Sequence, residues 1–180
     1  MKNNHILILG GARSGKSAYA EKLALSAIES ENSQKIAYIA TARKSSDKEM
    51  QQRIAKHIQR RGDEFITYEE EFALDAIIKK CAKIHDIILI DCLTLWLSNL
   101  FGNDNINMNE HISNLQQTLI SLDETQVIMV SNEVGLGIVP NNALARKFID
   151  EAGILHQELA QICSEVYFVT AGLPLTLKSS

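Results

Sequence analysis

Several things are scarce in this sequence, and each shortage closes off a class of protein. The cysteines are only three, Cys81, Cys92 and Cys163, widely spaced and with no C-x-x-C pair. That set excludes a disulfide framework and a cysteine-type zinc site, and it fits a cytoplasmic compartment. Two of them sit in apolar stretches, where a small buried side chain is the usual role. No apolar run approaches the roughly 18 residues that span a bilayer. The opening residues lead straight into an expected strand, so a cleaved signal peptide is not expected there. Positive charge is not in excess: the formal net charge is −4, which gives no overall basic field for nucleic acid. His5, His85, His111 and His156 share no metal-type spacing and read as structural. There is no internal repeat, and nothing marks a second domain, so 1–180 reads as one nucleotide-binding catalytic domain.

What is present is ordinary in bulk and specific in places. Hydrophobic residues make up 46% and charged residues 22% of 180, a globular balance long enough to bury a full core. The specific feature is Ile6-Leu7-Ile8-Leu9 running into Gly10-Gly11-Ala12-Arg13-Ser14-Gly15-Lys16-Ser17. It fits G-x-x-x-x-G-K-[ST] between an apolar strand and a helix former. Glycines let successive N–H groups point into one anion-sized hollow, and the helix adds its N-terminal donors. Lys16 would reach the β/γ-phosphates, and the Ser17 hydroxyl would ligate Mg²⁺. This motif predicts a nucleoside triphosphate site.

The remaining pattern alternates strands with helices. Helices are expected over 16–30, 46–61, 72–83, 93–101, from about 110 to 122, and 143–164. Strands are expected at 35–40, 65–68, 87–91, 127–130 and 166–170, with 175–177 as a possible edge strand. Ser46-Asp47-Lys48-Glu49 is a capping box opening the second helix, with Gly62 placed to end it. The third helix is expected to turn Phe72, Ala76, Ile77 and Lys80 to one side. The longest would bury Leu144, Phe148, Ala152, Leu155, Leu159 and Ile162. Residues 102–109 read as an exposed loop. The fold class expected is α/β, a mostly parallel sheet covered on both faces, with ligands at the carboxyl ends of the strands.

Asp91 closes the apolar run Ile87-Ile88-Leu89-Ile90. At the tip of a buried strand next to the first, it would hold Mg²⁺ or its water; the alternative is a cap on the following helix. Residues 41–61 carry Arg43, Lys44, Lys48, Arg53, Lys56, Arg60 and Arg61 against Asp47 and Glu49, seven basic side chains to two acidic and hence +5. Such density favours polyphosphate, or is simply a solvated cationic face. His57 lies within it, at the edge of the Met50–Ile54–Ile58 stripe. Cationic neighbours keep an imidazole neutral and its lone pair free for attack; a satisfied structural histidine is the alternative.

Four segments carry a resemblance: Gly10 to Ser17, Glu49-Met50…Arg53-Ile54…His57, Asp91-Cys92-Leu93-Thr94, and Asn132-Glu133-Val134-Gly135-Leu136-Gly137-Ile138-Val139-Pro140. Together they resemble the bifunctional adenosylcobinamide kinase/adenosylcobinamide-phosphate guanylyltransferases of cobalamin biosynthesis. The resemblance implies phosphorylation of adenosylcobinamide by ATP or GTP. It then implies transfer of GMP from GTP, through a guanylylated histidine, to adenosylcobinamide phosphate, giving adenosylcobinamide-GDP and pyrophosphate. By the R-I-x-x-H segment the histidine is His57. Nucleotide contacts carried over by position are Gly10, Gly11, Ala12, Arg13, Ser14, Gly15, Lys16 and Ser17, then Thr41, Ala42 and Arg43, then Ile58, Gln59, Arg60 and Arg61. Glu69 would accept from guanine N–H groups, or is simply one of three surface glutamates, and Asp91 completes the set, with Ser17 and Asp91 toward Mg²⁺. The family is RecA-like in fold and homotrimeric. His156 departs from it, since the family often has Asn there. The loop 132–140 is the expected corrinoid-docking segment. Two other readings stay open on the residues alone: a plain phosphate-loop kinase with a structural His57, and a nucleotide switch without a substrate pocket. The lack of N-K-x-D counts against a conventional GTPase.

Overall fold

The computed structural model describes residues 4–28, 35–43 and 62–179. The helix expected over 46–61, with His57, Ile58, Gln59, Arg60 and Arg61, lies outside the described residues.

Apolar runs of five to seven residues build the centre. The strands are β1 (Ile6–Gly10), β2 (Ile36–Ala40), β3 (Phe65–Glu69), β4 (Ile87–Asp91), β5 (Gln126–Asn132), β6 (Glu165–Thr170) and β7 (Leu173–Lys178). They form one sheet in the order β3-β2-β4-β5-β1-β6-β7. Every pairing is parallel except β6 with β7, which closes the edge as an antiparallel hairpin. Asp91 therefore does not stand on a strand next to the first: β5 lies between β4 and β1. Sequence could not reveal this, because β4 and β5 are equally apolar runs and either could neighbour β1.

Alternate residues of each strand serve opposite faces. Leu7, Leu9, Ile88, Ile90, Val127 and Met129 pack under four helices: α2 (Leu74–Cys81), α3 (Leu93–Phe101), α4 (Met108–Ser121) and α5 (Ala143–Ile162). Ile6, Ile8, Ile36, Leu89, Ile128 and Val130 face the other way, where Ala20 and Ala24 of α1 (Lys16–Ala27) pack on them. The result is the three-layer arrangement expected from the alternation. All three cysteines are buried free thiols.

The differences from expectation have local causes. The α2 stripe is Leu74, Ile78 and Cys81, while Ala76 and Lys80 are exposed. The Glu70 carboxylate accepts from the N–H groups of Phe72 and Ala73, both at 2.9 Å, so the chain is still turning where a helix was expected. Asn107 caps α4, accepting from Glu110 N, which brings the helix start forward to Met108. On α5, Leu144 is 65% exposed and only the later stripe is covered. The α5 C-terminus is closed by Lys178, whose ammonium donates to the carbonyls of Ala160, Gln161 and Cys163 at 2.8, 3.3 and 2.6 Å.

Candidate active site

The carboxyl ends of β4, β5, β1 and β6 lie side by side in the sheet, and the phosphate loop leaves from β1 among them. Gly10 has φ 149° and Gly15 φ 100°, and Arg13 between them sits in the left-handed region at 58°. Only glycine fits the first position: a Cβ on Gly10 would stand 2.2 Å from the Val169 carbonyl oxygen. At Gly15 the neighbour is Gly172 Cα, 3.1 Å from such a Cβ. The β6–β7 turn thus backs the loop, and Gly172 N donates to Ser14 O at 2.8 Å. The sequence signalled the loop but not this buttress.

Lys16 is 6% exposed and donates to Gly11 O at 2.6 Å, so it folds back over its own loop. Burial lowers its pKa from the ordinary 10.5, opposed by Cys92 and Asp91 nearby. Ser14 Oγ is buried with no hydrogen-bond partner. An orphaned hydroxyl and a curled lysine in a ring of backbone donors are what an anion would complete. Ser17 opens α1, and Asp91 accepts from the Tyr38 hydroxyl at 3.0 Å. The donor set fits Mg²⁺, which takes one or two protein oxygens and completes its shell with phosphate and water.

The other expected nucleotide contacts are spread along the sheet. Thr41 is fully buried, and its hydroxyl donates to Cys92 O at 2.7 Å and accepts from Cys92 N at 2.9 Å. It clamps the turn after Asp91. Asn99 donates to Thr41 O and Glu71 O, at 2.9 and 3.1 Å, fixing the same corner. Ala42 is half-buried beside it. Arg43 pairs with Glu71 at 3.4 Å and stacks 4.9 Å over the Phe72 ring. Glu69 is exposed at the end of the edge strand β3. These residues lie three or four strands from β1, apart from the phosphate loop.

A cleft of about 480 Å³ opens at the loop, lined by Gly11 to Ser14, Glu133, Leu136 and the end of β6. Glu133 follows β5, and its N–H donates to Gly10 O at 2.9 Å. Behind it runs a buried polar chain. Asn132 N donates to Thr94 Oγ1 at 2.6 Å, Thr94 meets Ser131 Oγ at 3.0 Å, and Ser131 meets His156 Nε2 at 2.8 Å. His156 Nδ1 lies 3.7 Å from Glu133 Oε2 and has no hydrogen-bond partner. Burial lowers the His156 pKa from 6.5, against the raising influence of Glu133. The N-E-V-G segment was the available sign of Glu133; nothing in the sequence tied it to His156, 23 positions on.

Comparison with known proteins covers nearly the whole chain. A sequence model of the family described as cobinamide kinase / cobinamide phosphate guanyltransferase matches residues 6–177. A bifunctional adenosylcobalamin biosynthesis protein, CobP, of Pseudomonas aeruginosa is 46% identical, with 96% of this chain and 96% of that protein covered. The bifunctional adenosylcobalamin biosynthesis protein CobU of Escherichia coli is 37% identical, over 96% of this chain and 99% of that one. Among solved structures, the flagellar accessory protein FlaH of Methanocaldococcus jannaschii superposes with a TM-score of 0.53 at 14% identity, covering 99% of this chain and 80% of that one. A KaiC-like protein of Pyrococcus horikoshii gives 0.52 at 14%, covering 93% and 71%. At that identity the likeness concerns the fold, the RecA-like phosphate-loop architecture expected from the sequence.

Proposed function

Since the chain belongs to the cobinamide kinase / cobinamide phosphate guanyltransferase family, we propose that it carries out both reactions on one phosphate-loop catalytic unit spanning 1–180. It is a bifunctional enzyme of adenosylcobalamin biosynthesis, a kinase and a guanylyltransferase. The kinase step uses ATP or GTP, and the second step uses GTP. The supporting observation is a formed phosphate loop, with its orphaned Ser14 hydroxyl and inward Lys16, opening on a cleft at the strand ends.

In the first reaction the triphosphate lies in the Gly10–Ser17 loop, against the positive end of α1. Lys16 exchanges the Gly11 carbonyl for phosphate oxygens, placing its charge where negative charge builds up. Ser17 and Asp91 would hold Mg²⁺, which would supply neutralisation of charge on the phosphate oxygens. The corrinoid hydroxyl approaches from the cleft, with Leu136 of the 132–140 loop on its wall.

In the second reaction a neutral His57 imidazole attacks the α-phosphorus of GTP. An N–P bond forms and pyrophosphate departs with the electrons of the broken P–O bond. A phosphate oxygen of adenosylcobinamide phosphate then displaces the imidazole, yielding adenosylcobinamide-GDP and free His57. Arg53, Lys56, Arg60 and Arg61 supply positive charge near the histidine in sequence, and Ile58 and Gln59 complete that segment. Thr41, Ala42, Arg43, Glu69 and Asp91 belong to the same nucleotide set, Glu69 toward the guanine. Thr41 acts through the corner it clamps. No described helix is long and apolar enough to cross a membrane; the working compartment is the cytoplasm and the assembly a homotrimer, with no nucleic-acid partner.

Incubation with GTP labelled at the α-phosphate, followed by denaturing electrophoresis, tests the covalent step. Wild type acquires an acid-labile label and His57→Ala does not. A label that survives His57→Ala moves the nucleophile elsewhere, and active wild-type enzyme without label reduces the protein to a simple kinase.

A further inference from the structure

We propose that Glu133 is the carboxylate that takes the proton from the corrinoid hydroxyl in the kinase half-reaction, with His156 as its positioning residue. This rests on the kinase reading given above.

Position comes first. β5 and β1 are paired in register up to Gly10 and Asn132, so the next residue on β5 stands at the mouth of the phosphate loop. The Glu133 N–H bond to Gly10 O pins that backbone to the loop itself. The side chain is 22% exposed and lines the same cleft as Gly11 to Ser14. Beside a triphosphate, another negative charge is electrostatically unfavourable. A carboxylate placed there calls for a chemical role, and accepting a proton from the attacking hydroxyl is one that a kinase needs.

The support behind it points the same way. Oε1 accepts from Gly135 N, which leaves lone pairs free on both oxygens. Oε2 faces His156 Nδ1 at 3.7 Å, while Nε2 of that ring is engaged by Ser131 and, through it, Thr94. The Glu133 anion favours the neutral tautomer with its proton on Nδ1. That buried N–H, with no hydrogen-bond partner of its own, faces the carboxylate from behind at 3.7 Å and biases it electrostatically. The polar contacts behind the proton acceptor end at Thr94, three residues after Asp91 in the chain.

The step balances simply. The hydroxyl oxygen forms a bond to the γ-phosphorus, and its proton passes to Glu133. The bond from γ-phosphorus to the β–γ bridging oxygen breaks, and the nucleoside diphosphate leaves with that electron pair. Glu133 then releases the proton to solvent.

Steady-state phosphorylation of cobinamide by ATP, measured on wild type, Glu133→Gln, Glu133→Asp and His156→Leu, tests the assignment, with melting curves to establish that each is folded. Glutamine keeps an oxygen for Gly135 N, so a purely structural Glu133 would leave kcat near wild type. A general base predicts that Glu133→Gln lowers kcat about 100-fold or more with KM for cobinamide little changed, and that Glu133→Asp recovers part of the rate. His156→Leu lowers kcat by less than Glu133→Gln, again at nearly constant KM. Equal kcat for wild type and Glu133→Gln overturns the proposal, as does a rise in KM alone, which would make Glu133 a binding group. Wild-type protein that never phosphorylates cobinamide overturns the kinase reading instead.

Discussion

His5 shows how much of this protein is decided by single buried polar atoms. It is fully buried; Nε2 lies 2.8 Å from Leu119 O, and Nδ1 accepts from Val127 N at 3.1 Å. Those partners admit one state, neutral with the proton on Nε2. Protonation would aim a second N–H at the Val127 donor. Accordingly burial lowers its pKa from 6.5, and His156 is lowered for the same first reason. Above 6.5 both rings are neutral folded or unfolded, and stability is insensitive to them. As pH falls below 6.5 the unfolded chain gains protons first, so stability declines until the lowered native values are reached. Each ring contributes a slope of up to about 1.4 kcal/mol per pH unit. Urea unfolding between pH 8 and 5 should show wild type losing stability across that window. His5→Gln is expected to be less stable at pH 8 yet to fall less steeply; an identical slope in the variant would contradict this account.

Among elements, α5 was the longest visible in the sequence, and its two ends are held in different ways. Asn142 caps its start, accepting from Leu144 N and Ala145 N at 2.8 and 3.2 Å, a pairing that Asn before a periodic stretch foretells. Its other end depends on Lys178, fifteen residues beyond Cys163 at the end of β7. Carbonyls at a helix C-terminus carry partial negative charge, and an ammonium there both donates and neutralises. Lys178→Met should lower stability by about 1–2 kcal/mol in urea melts, with Lys178→Arg recovering part, and without altering nucleotide affinity. The contrast marks what was legible. Periodicity and caps are local, so β1, β4, α3 and the phosphate loop stood nearly at their final bounds in the sequence. The strand between Asp91 and β1, the Val169–Gly172 buttress and the Glu133–His156 contact join residues far apart in the chain. No local pattern encodes such pairings. Thr41, Arg43 and Glu69 entered the nucleotide set through the family resemblance, and the sheet order places them on its far half.

At the scale of the whole molecule, the nucleotide site is where independent parts of the fold meet. The phosphate loop rests on β1, is backed by β6 and its turn, and is flanked by β5 and, one strand on, β4. The cleft at that loop is lined from the ends of β1, β5 and β6, so unfolding any of these strands removes the site. Binding to the native state alone adds RT ln(1 + [L]/Kd), about 2.7 kcal/mol at a hundredfold excess over Kd. For a chain of this length that corresponds to a rise in Tm of about 5–11 °C. Lys16 separates the ligand term from the fold. Without phosphate it is a buried cation whose lowered pKa records a desolvation cost; with phosphate it is neutralised in place. Lys16→Met should therefore retain or slightly exceed the wild-type Tm without nucleotide, and lose most of the shift when MgATP is added. A large drop in Tm without nucleotide would instead make the Lys16–Gly11 bond a structural fastening. A shift preserved in Lys16→Met would place the triphosphate outside the loop.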